Sequence, residues 1–371
     1  MSETYRGPLA TCQDQATAMR IRRRIAGEPA PADEGIDVQI TDPDGSVPSE
    51  VPEGRPRTEE PRRLEARLTD ADRLYRAVVS SGAAATLLLI TLIGIFLLIG
   101  ALPALKEAGF SFLTTKEWNP DGQSPSFGVA AMMFGTLVSA VVAMGITVPV
   151  AVCTALFINE YAPPAVRNGL TSLVDLMAAI PSIIFAIWGL FFLVPTLTPI
   201  EDWVVEQIGS WFPLAAASAT GSSLFNAGLI IACMTIPITT SIIREVLSQA
   251  PRHECEGALA LGGTRWGMIT SVILPFGKGG IIGGSMLGLG RALGETLAAT
   301  LILSIAFEIK PRILENGGIT VASGIAIQFR DARDMGLSAL MAAGLALFLV
   351  TFVINFLAAM VVSRSRSGAS T

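Results

Sequence analysis

The sequence predicts an all-α membrane protein with six transmembrane helices behind a polar, mostly disordered N-terminal extension. Three observations carry that expectation. Of 371 residues 51% are apolar and only 15% charged, with a mean hydropathy of +0.56, where a soluble domain would hold roughly a quarter charged residues. The charge is also segregated: residues 1–77 carry 27 of the 57 Asp, Glu, Lys and Arg side chains, 15 acidic and 12 basic. The rest of the chain contains six apolar stretches long enough to cross a bilayer, which takes roughly 20 residues for about 30 Å of hydrocarbon.

In chain order, the extension over residues 1–77 is rich in Pro, Gly, Asp, Glu and Arg and offers few large apolar side chains for a core, so disorder is expected. Within it Arg20, Arg22, Arg23 and Arg24 form a basic cluster suited to anionic lipid headgroups or an acidic partner. The spans are placed at 78–103, 127–158, 173–195, 225–243, 279–306 and 337–362. The first follows a long polar segment and therefore does not read as a cleavable signal peptide. The second is too long for one straight helix, and Gly145 and Pro149 suggest a bend or an added interfacial segment. Between the fifth and sixth, the apolar stretch 319–329 is too short to span and reads as an interfacial or re-entrant helix.

Orientation follows from the retention of basic residues on the cytoplasmic side. An even number of spans puts Arg62, Arg63, Arg67, Arg73, Arg76, Arg167, Arg244, Arg252, Arg265, Lys278, Arg364 and Arg366 on one side, and Lys106, Lys116, Lys310, Arg312, Arg330 and Arg333 on the other. Both termini are expected on the cytoplasmic side of the membrane. The domain division is then an N-terminal extension at 1–77 and a transmembrane domain at 78–371, with a cytoplasmic loop at about 250–275.

Several function classes fall away. A single histidine, His253, leaves no material for a His-based triad or a multi-histidine metal site. Four cysteines at 12, 153, 233 and 255 share no C-x-x-C spacing, and no disulfide is expected. A formal charge of −5 and a pI near 5.1 argue against nucleic acid as a partner. Gly288, Gly290 and Gly294 have the wrong spacing for a dinucleotide loop, and Gly277-Lys278 lacks the context of a phosphate-binding loop, so no ATP is bound in that manner.

The fifth span carries glycines four apart at 280, 284 and 288, and again at 290 and 294. Small residues let helices approach closely in lipid, and this helix is expected to be central. Arg291 and Glu295 are the only charged residues deep within any predicted span. Such charges cost at least about 2.5 kcal/mol to insert and usually face a pathway or a partner. Their four-residue spacing predicts one helix face and pairing distance. One reading is an internal salt bridge that aids insertion. The preferred reading is a translocation site for an anion, with arginine as a bidentate oxyanion donor and glutamate as its resting counter-ion. The cytoplasmic loop reads locally as a short helix ended by Gly262-Gly263 and a turn before the next helix.

These residues resemble a known family, the ABC-transporter permeases of the phosphate type, and within it the PstC-like subunit. Glu256-Gly257-Ala258, Gly262, Val272 and Leu274-Pro275 look like the EAA loop, with Gly257 in place of an alanine and Val272 in place of an isoleucine. The stretch from Gly290 through Arg291 and Glu295 to Thr296 is the more specific match, supported by Trp118-Asn119-Pro120, Phe127-Gly128, Gly135-Thr136, Ile180-Pro181-Ser182-Ile183 and Trp188-Gly189-Leu190. The likeness covers about residues 80–365.

The resemblance implies a type I ABC importer permease fold and a subunit that is not itself an enzyme. It implies pairing with a second, PstA-like permease, an ATPase dimer on the cytoplasmic side that holds the ATP and magnesium, and an external phosphate-binding protein, with membrane lipid around the whole. Glu256, Gly262, Leu274 and Pro275 would then couple to the ATPase, while Arg291, Glu295 and Thr296 would line the phosphate path. No cofactor is expected on this chain. Another oxyanion such as sulfate or molybdate satisfies the same arginine chemistry. A membrane receptor with the N-terminal segment as output domain is the competing class, and leaves the coupling loop unexplained.

Overall fold

The computed structural model describes residues 70–122, 124–208 and 221–366, with side chains to residue 361. The basic cluster at Arg20–Arg24, the cations Arg62, Arg63 and Arg67, most of the N-terminal extension and the side chains of Arg364 and Arg366 lie outside the described residues.

Six helical segments are long and apolar enough to cross a membrane. The first is α1 (Asp70–Ala108), closed by a 3-10 turn at Gly109–Leu113. At 1.5 Å per residue α1 is about 60 Å long. It therefore exceeds the hydrocarbon and starts eight residues before the apolar run does. A two-stranded hairpin follows, β1 (Trp118–Asn119) antiparallel to β2 (Ser126–Phe127). The second span is α2 (Ala130–Leu156), continuous through Pro149 and ending in a π-helical turn at Phe157–Tyr161. The excess length of the second apolar run is absorbed by that turn.

The third span is displaced from its expected place. A separate amphipathic helix, α3 (Pro164–Ala178), has no buried residue. The chain then breaks before Pro181, and the span runs through α4 (Ser182–Trp188), a π-helical turn at Gly189–Leu193 and α5 (Val194–Ile208). Proline disfavours helix in the residue before it, and hydropathy alone merged the end of α3 with α4 across that break. The true span is thereby longer at its far end, where it includes Glu201 and Asp202.

The fourth span is α6 (Leu224–Ser248). Next come α7 (Arg252–Ala260) and α8 (Arg265–Met268), which leads through a π-helical turn at Ile269–Ile273 into α9 (Leu274–Gly294) as the fifth span. The stretch 297–306, expected to continue that span, forms instead the short helix α10 (Leu297–Ile302). The short apolar segment at 319–329 is the separate helix α11 (Val321–Gln328), whose start is fastened by reciprocal bonds between Thr320 and Ser323 and by Val321 N donating to Thr136 Oγ1 of α2 at 2.9 Å. The sixth span belongs to α12 (Asp334–Arg366).

The near face, where α1 begins, gathers the end of the second span, α3, and α7 with α8. The far face holds the hairpin, α11 and the start of α12. There Asp121 accepts from Arg333 N at 3.0 Å and Gly336 N at 2.9 Å, tying the hairpin loop to the start of α12. Trp118 stacks on Phe307 with centroids 6.2 Å apart.

The centre is α6 rather than α9, with 67% of its apolar window buried against 28% for the fifth span. On one side α6 meets α2, where Gly228 lies so close that a side-chain carbon there would stand 2.8 Å from Val142. Thr147 and Thr235 share a hydrogen bond of 2.7 Å in the same seam. On its other side α9 docks with Gly277, Gly280, Gly284 and Gly288. A carbon on Gly284 would meet Ile243 at 3.0 Å, and one on Gly288 would meet Thr239 Oγ1 at 2.6 Å. Gly283, Gly290 and Gly294 face open space instead. The glycine helix is therefore a partner pressed onto the central one, and it also packs against α2 and α12.

The first and last spans associate through a hydroxyl. Ser338 Oγ donates to Gly100 O at 2.7 Å and accepts from Ala104 N at 3.1 Å, standing inside the α1 ladder beside Pro103. Ser338→Val removes both bonds while keeping the shape. It is expected to lower stability by about 1–2 kcal/mol, read as an earlier thermal transition of the purified protein in detergent, with Ser338→Thr retaining most of it.

Candidate functional site

Two places collect the residues singled out from the sequence. The first is the turn between α7 and α8. Gly262 has φ +85°, Gly262 N donates to Leu259 O at 3.0 Å, and Gly263 N donates to Ala258 O at 3.2 Å. This pair of bonds closes α7 in a Schellman turn, whose left-handed position favours glycine. Thr264 then starts α8, its Oγ1 accepting from Gly267 N at 3.1 Å. Glu256 is exposed on α7, as is His253, while Leu261 is 92% and Trp266 62% exposed at the turn. Both apolar side chains stand open at the tip of the turn.

Beneath the turn, Ala151, Ala155 and Leu156 of the second span, Ile243 and Leu247 of α6, and Met268, Ile269 and Ile273 form one apolar cluster. Cys255, Ala258 and Leu274 lean on it, and Pro275 follows in the first turn of α9. Burial, then the nearby Glu160 and Glu254, push the Cys255 thiol up, so it acts as a neutral packing group. Cys153, Cys233 and Cys255 are free thiols. Gly257 lies within the unbroken α7 with nothing within 4 Å of where its side chain would be.

The second place is the end of α9. Arg291 borders an open groove of about 500 Å³ between α6, α9 and α12, lined by Ile238, Gly283, Met286, Leu287, Gly290 and Asn355. The Arg291 Nε is buried without an acceptor. Glu295 does not pair with it. The helix stops at Gly294, Glu295 is extended with ψ 120°, and its Oε1 accepts from Ala298 N at 3.3 Å, which satisfies an amide at the start of α10. Four-residue spacing gives one face only while the helix continues, and here it ends between the two residues. Thr296 is held in the same break, its carbonyl accepting from Thr300 N at 2.9 Å and Thr300 Oγ1 at 2.7 Å.

Two amides within the expected spans carry no full charge to mark them in the sequence. Asn355 lines the Arg291 groove. Asn226 is buried near the far face, its Nδ2 donating to Gly221 O at 3.0 Å and to Glu201 Oε2 at 3.3 Å. Glu201 was missed because the third span was ended too early. Among the described residues no group of three or more His, Cys, Asp or Glu side chains is placed to hold a metal ion.

Residues 147–367 match the family model described as the binding-protein-dependent transport system inner membrane component. The phosphate transport system permease protein PstC 2 of Mycobacterium tuberculosis is 39% identical over 76% of this chain and 89% of its own length. The PstC protein of Pasteurella multocida is 36% identical over 78% of this chain and 91% of its own. A bacterial ABC transporter involved in the import of the polysaccharide alginate supplies a crystal structure that superposes with a TM-score of 0.50 at 21% identity, covering 79% of this chain and 99% of that one. That likeness concerns the fold.

The Gly262 turn makes a prediction independent of partners. Gly262→Val forces a β-branched residue into the left-handed region at about 1–2 kcal/mol, and amide exchange around residues 259–263 should accelerate about tenfold while α9 keeps its protection.

Proposed function

Because the chain belongs to the binding-protein-dependent transport system inner membrane components, in their PstC-type branch, we propose that it forms with a PstA-like second permease the path of an ATP-driven importer of inorganic phosphate. It is a multi-pass membrane protein and a permease subunit, not an enzyme. Members of this class work with an ATPase and an external binding protein. Two ATPase copies, a phosphate-loaded binding protein on the far face, and a cytoplasmic near face with both termini inside complete the reading. Basic residues support that orientation: Arg73, Arg76, Arg167, Arg244, Arg252 and Arg265 belong to near-face segments.

The observation that carries the reading is Arg291, an arginine inside a membrane span that borders an open groove and has no carboxylate partner. A guanidinium with a free fork binds two oxygens of a tetrahedral oxyanion, and the low dielectric around it strengthens that bond. The resting counter-ion role first expected of Glu295 gives way to a positioning one, because its carboxylate is turned to α10. Asn355 supplies a neutral amide on the same groove, able to donate to an oxyanion without adding charge. At the other end, Glu256 and the turn at Gly262 present the seat for the ATPase, and Leu274-Pro275 joins that seat to α9, the helix that carries Arg291. ATP-driven closure of the ATPase would thus act on the arginine's own helix.

Arg291→Gln should abolish phosphate uptake in vesicles and Arg291→Lys should lower it by about tenfold, since lysine keeps charge and loses the fork, with assembled complex unchanged in both. Glu295→Gln should assemble normally, because its amide oxygen still accepts from Ala298 N. Uptake of labelled phosphate that excess sulfate and molybdate fail to reduce is the expected specificity; uptake at wild-type rate in Arg291→Gln removes the site from the reading.

A further inference from the structure

One near-face carboxylate belongs to neither the coupling turn nor the Arg291 groove. Asp175 lies near the end of α3, where its Oδ1 accepts from Ser241 Oγ at 2.9 Å and its Oδ2 stands 3.7 Å from Arg244 Nη2. Both partners are on α6. The Arg244 side chain is only 16% exposed and its Nε has no acceptor, so Asp175 is the carboxylate that balances this cation among the described residues.

The surrounding bonds join four segments at this point. Asn159, in the π-helical turn that ends the second span, donates from Nδ2 to Arg244 O at 2.9 Å. Arg265 at the start of α8 donates from Nη1 to Glu160 O at 3.1 Å, and Arg167 of α3 donates to Asn159 O. The coupling turn is thereby bound to the second span, the second span to α6, and α6 to α3. α3 packs against α6 without a buried residue, and its side-chain bonds to α6 are those of Asp175. The break at Pro181 follows six residues later, and α4 packs against α10, the helix whose start Glu295 satisfies.

We propose that the clasp of Asp175 with Arg244 and Ser241 is the positioning link that carries motion of the coupling turn into the third span and, through α4 and α10, to the end of the Arg291 groove. Asp175 touches no substrate. Half-exposed ion pairs contribute little to stability, so its value lies in holding a register while the near face moves. Severing the clasp lets α3 and the third span lag behind α6, and hydrolysis then proceeds with less transport. This inference rests on the importer reading above.

The test uses the whole complex in vesicles, with phosphate uptake and ATP hydrolysis measured on the same preparation. Asp175→Asn keeps an acceptor for Ser241 and removes the charge. It should assemble in normal amount and raise the ATP consumed per phosphate imported by about fivefold or more, the lower end of typical coupling between sites. Exchange of the pair, Asp175→Arg with Arg244→Asp, should bring the ratio back toward the wild type. An unchanged ratio in Asp175→Asn overturns the proposal, as does a parallel fall of uptake and hydrolysis. Loss of assembled complex in both variants assigns the clasp to structure alone and overturns it too. Failure of the wild-type complex to import phosphate counts against the importer reading instead, and the ratio is then taken with the oxyanion that is imported.

Discussion

In hydrocarbon, apolar contact between helices gains little over contact with lipid, so the arrangement depends on how closely α6 can be approached from two sides. Gly228 admits α2, and Gly277, Gly280, Gly284 and Gly288 admit α9. Both approaches bring backbone near backbone, where dispersion and short hydroxyl bonds such as Thr147–Thr235 outweigh what lipid offers. With α6 enclosed in this way, its two ends become fixed points. The near end receives the turn between α7 and α8 and the clasp of α3, and the middle faces the groove that Arg291 borders.

Interruptions of the helices do as much as the helices themselves. The stop at Gly294 separates Arg291 from Glu295 and turns the carboxylate to α10, which leaves the guanidinium without a carboxylate partner. Irregular backbone inside a membrane is tolerated where protein or a water-lined cavity satisfies it, and here the Glu295 carboxylate accepts from Ala298 N while Thr300 donates to the Thr296 carbonyl. Three π-helical turns, at Phe157–Tyr161, Gly189–Leu193 and Ile269–Ile273, lie in the second, third and fifth spans, two of them beside α8 on the near face. Such turns are common near functional sites because one extra residue in the ladder loosens it locally.

Much of this was legible in the sequence because hydropathy reports solvent directly. The number of spans, the glycine face at 280, 284 and 288, the short helix near 319–329 and the end of α7 at Gly262 all follow from local chemistry. The errors share a cause: apolar runs do not reveal where a helix ends inside hydrocarbon. Hydropathy carries the third span across the break at Pro181 and hides Glu201, and it carries the fifth through Glu295, which implies an ion pair that the described residues do not form. Asn355 was passed over because an uncharged amide barely disturbs hydropathy. The centrality of α6 rests on long-range packing, which periodicity within one helix does not encode.

The first span meets the fold chiefly through α12, with 6% of its apolar stretch buried. Its side chains are content in lipid alone, unlike α6, whose buried threonines and Asn226 require neighbours. During synthesis α1 emerges first and its partner last, so it must wait in the bilayer while the intervening helices are inserted. Biogenesis of this subunit is then a closing ring: the hydroxyl of Ser338 joins the oldest part of the membrane domain to the newest, and a ribosome that stalls before α12 leaves a chain whose first helix lacks its main partner.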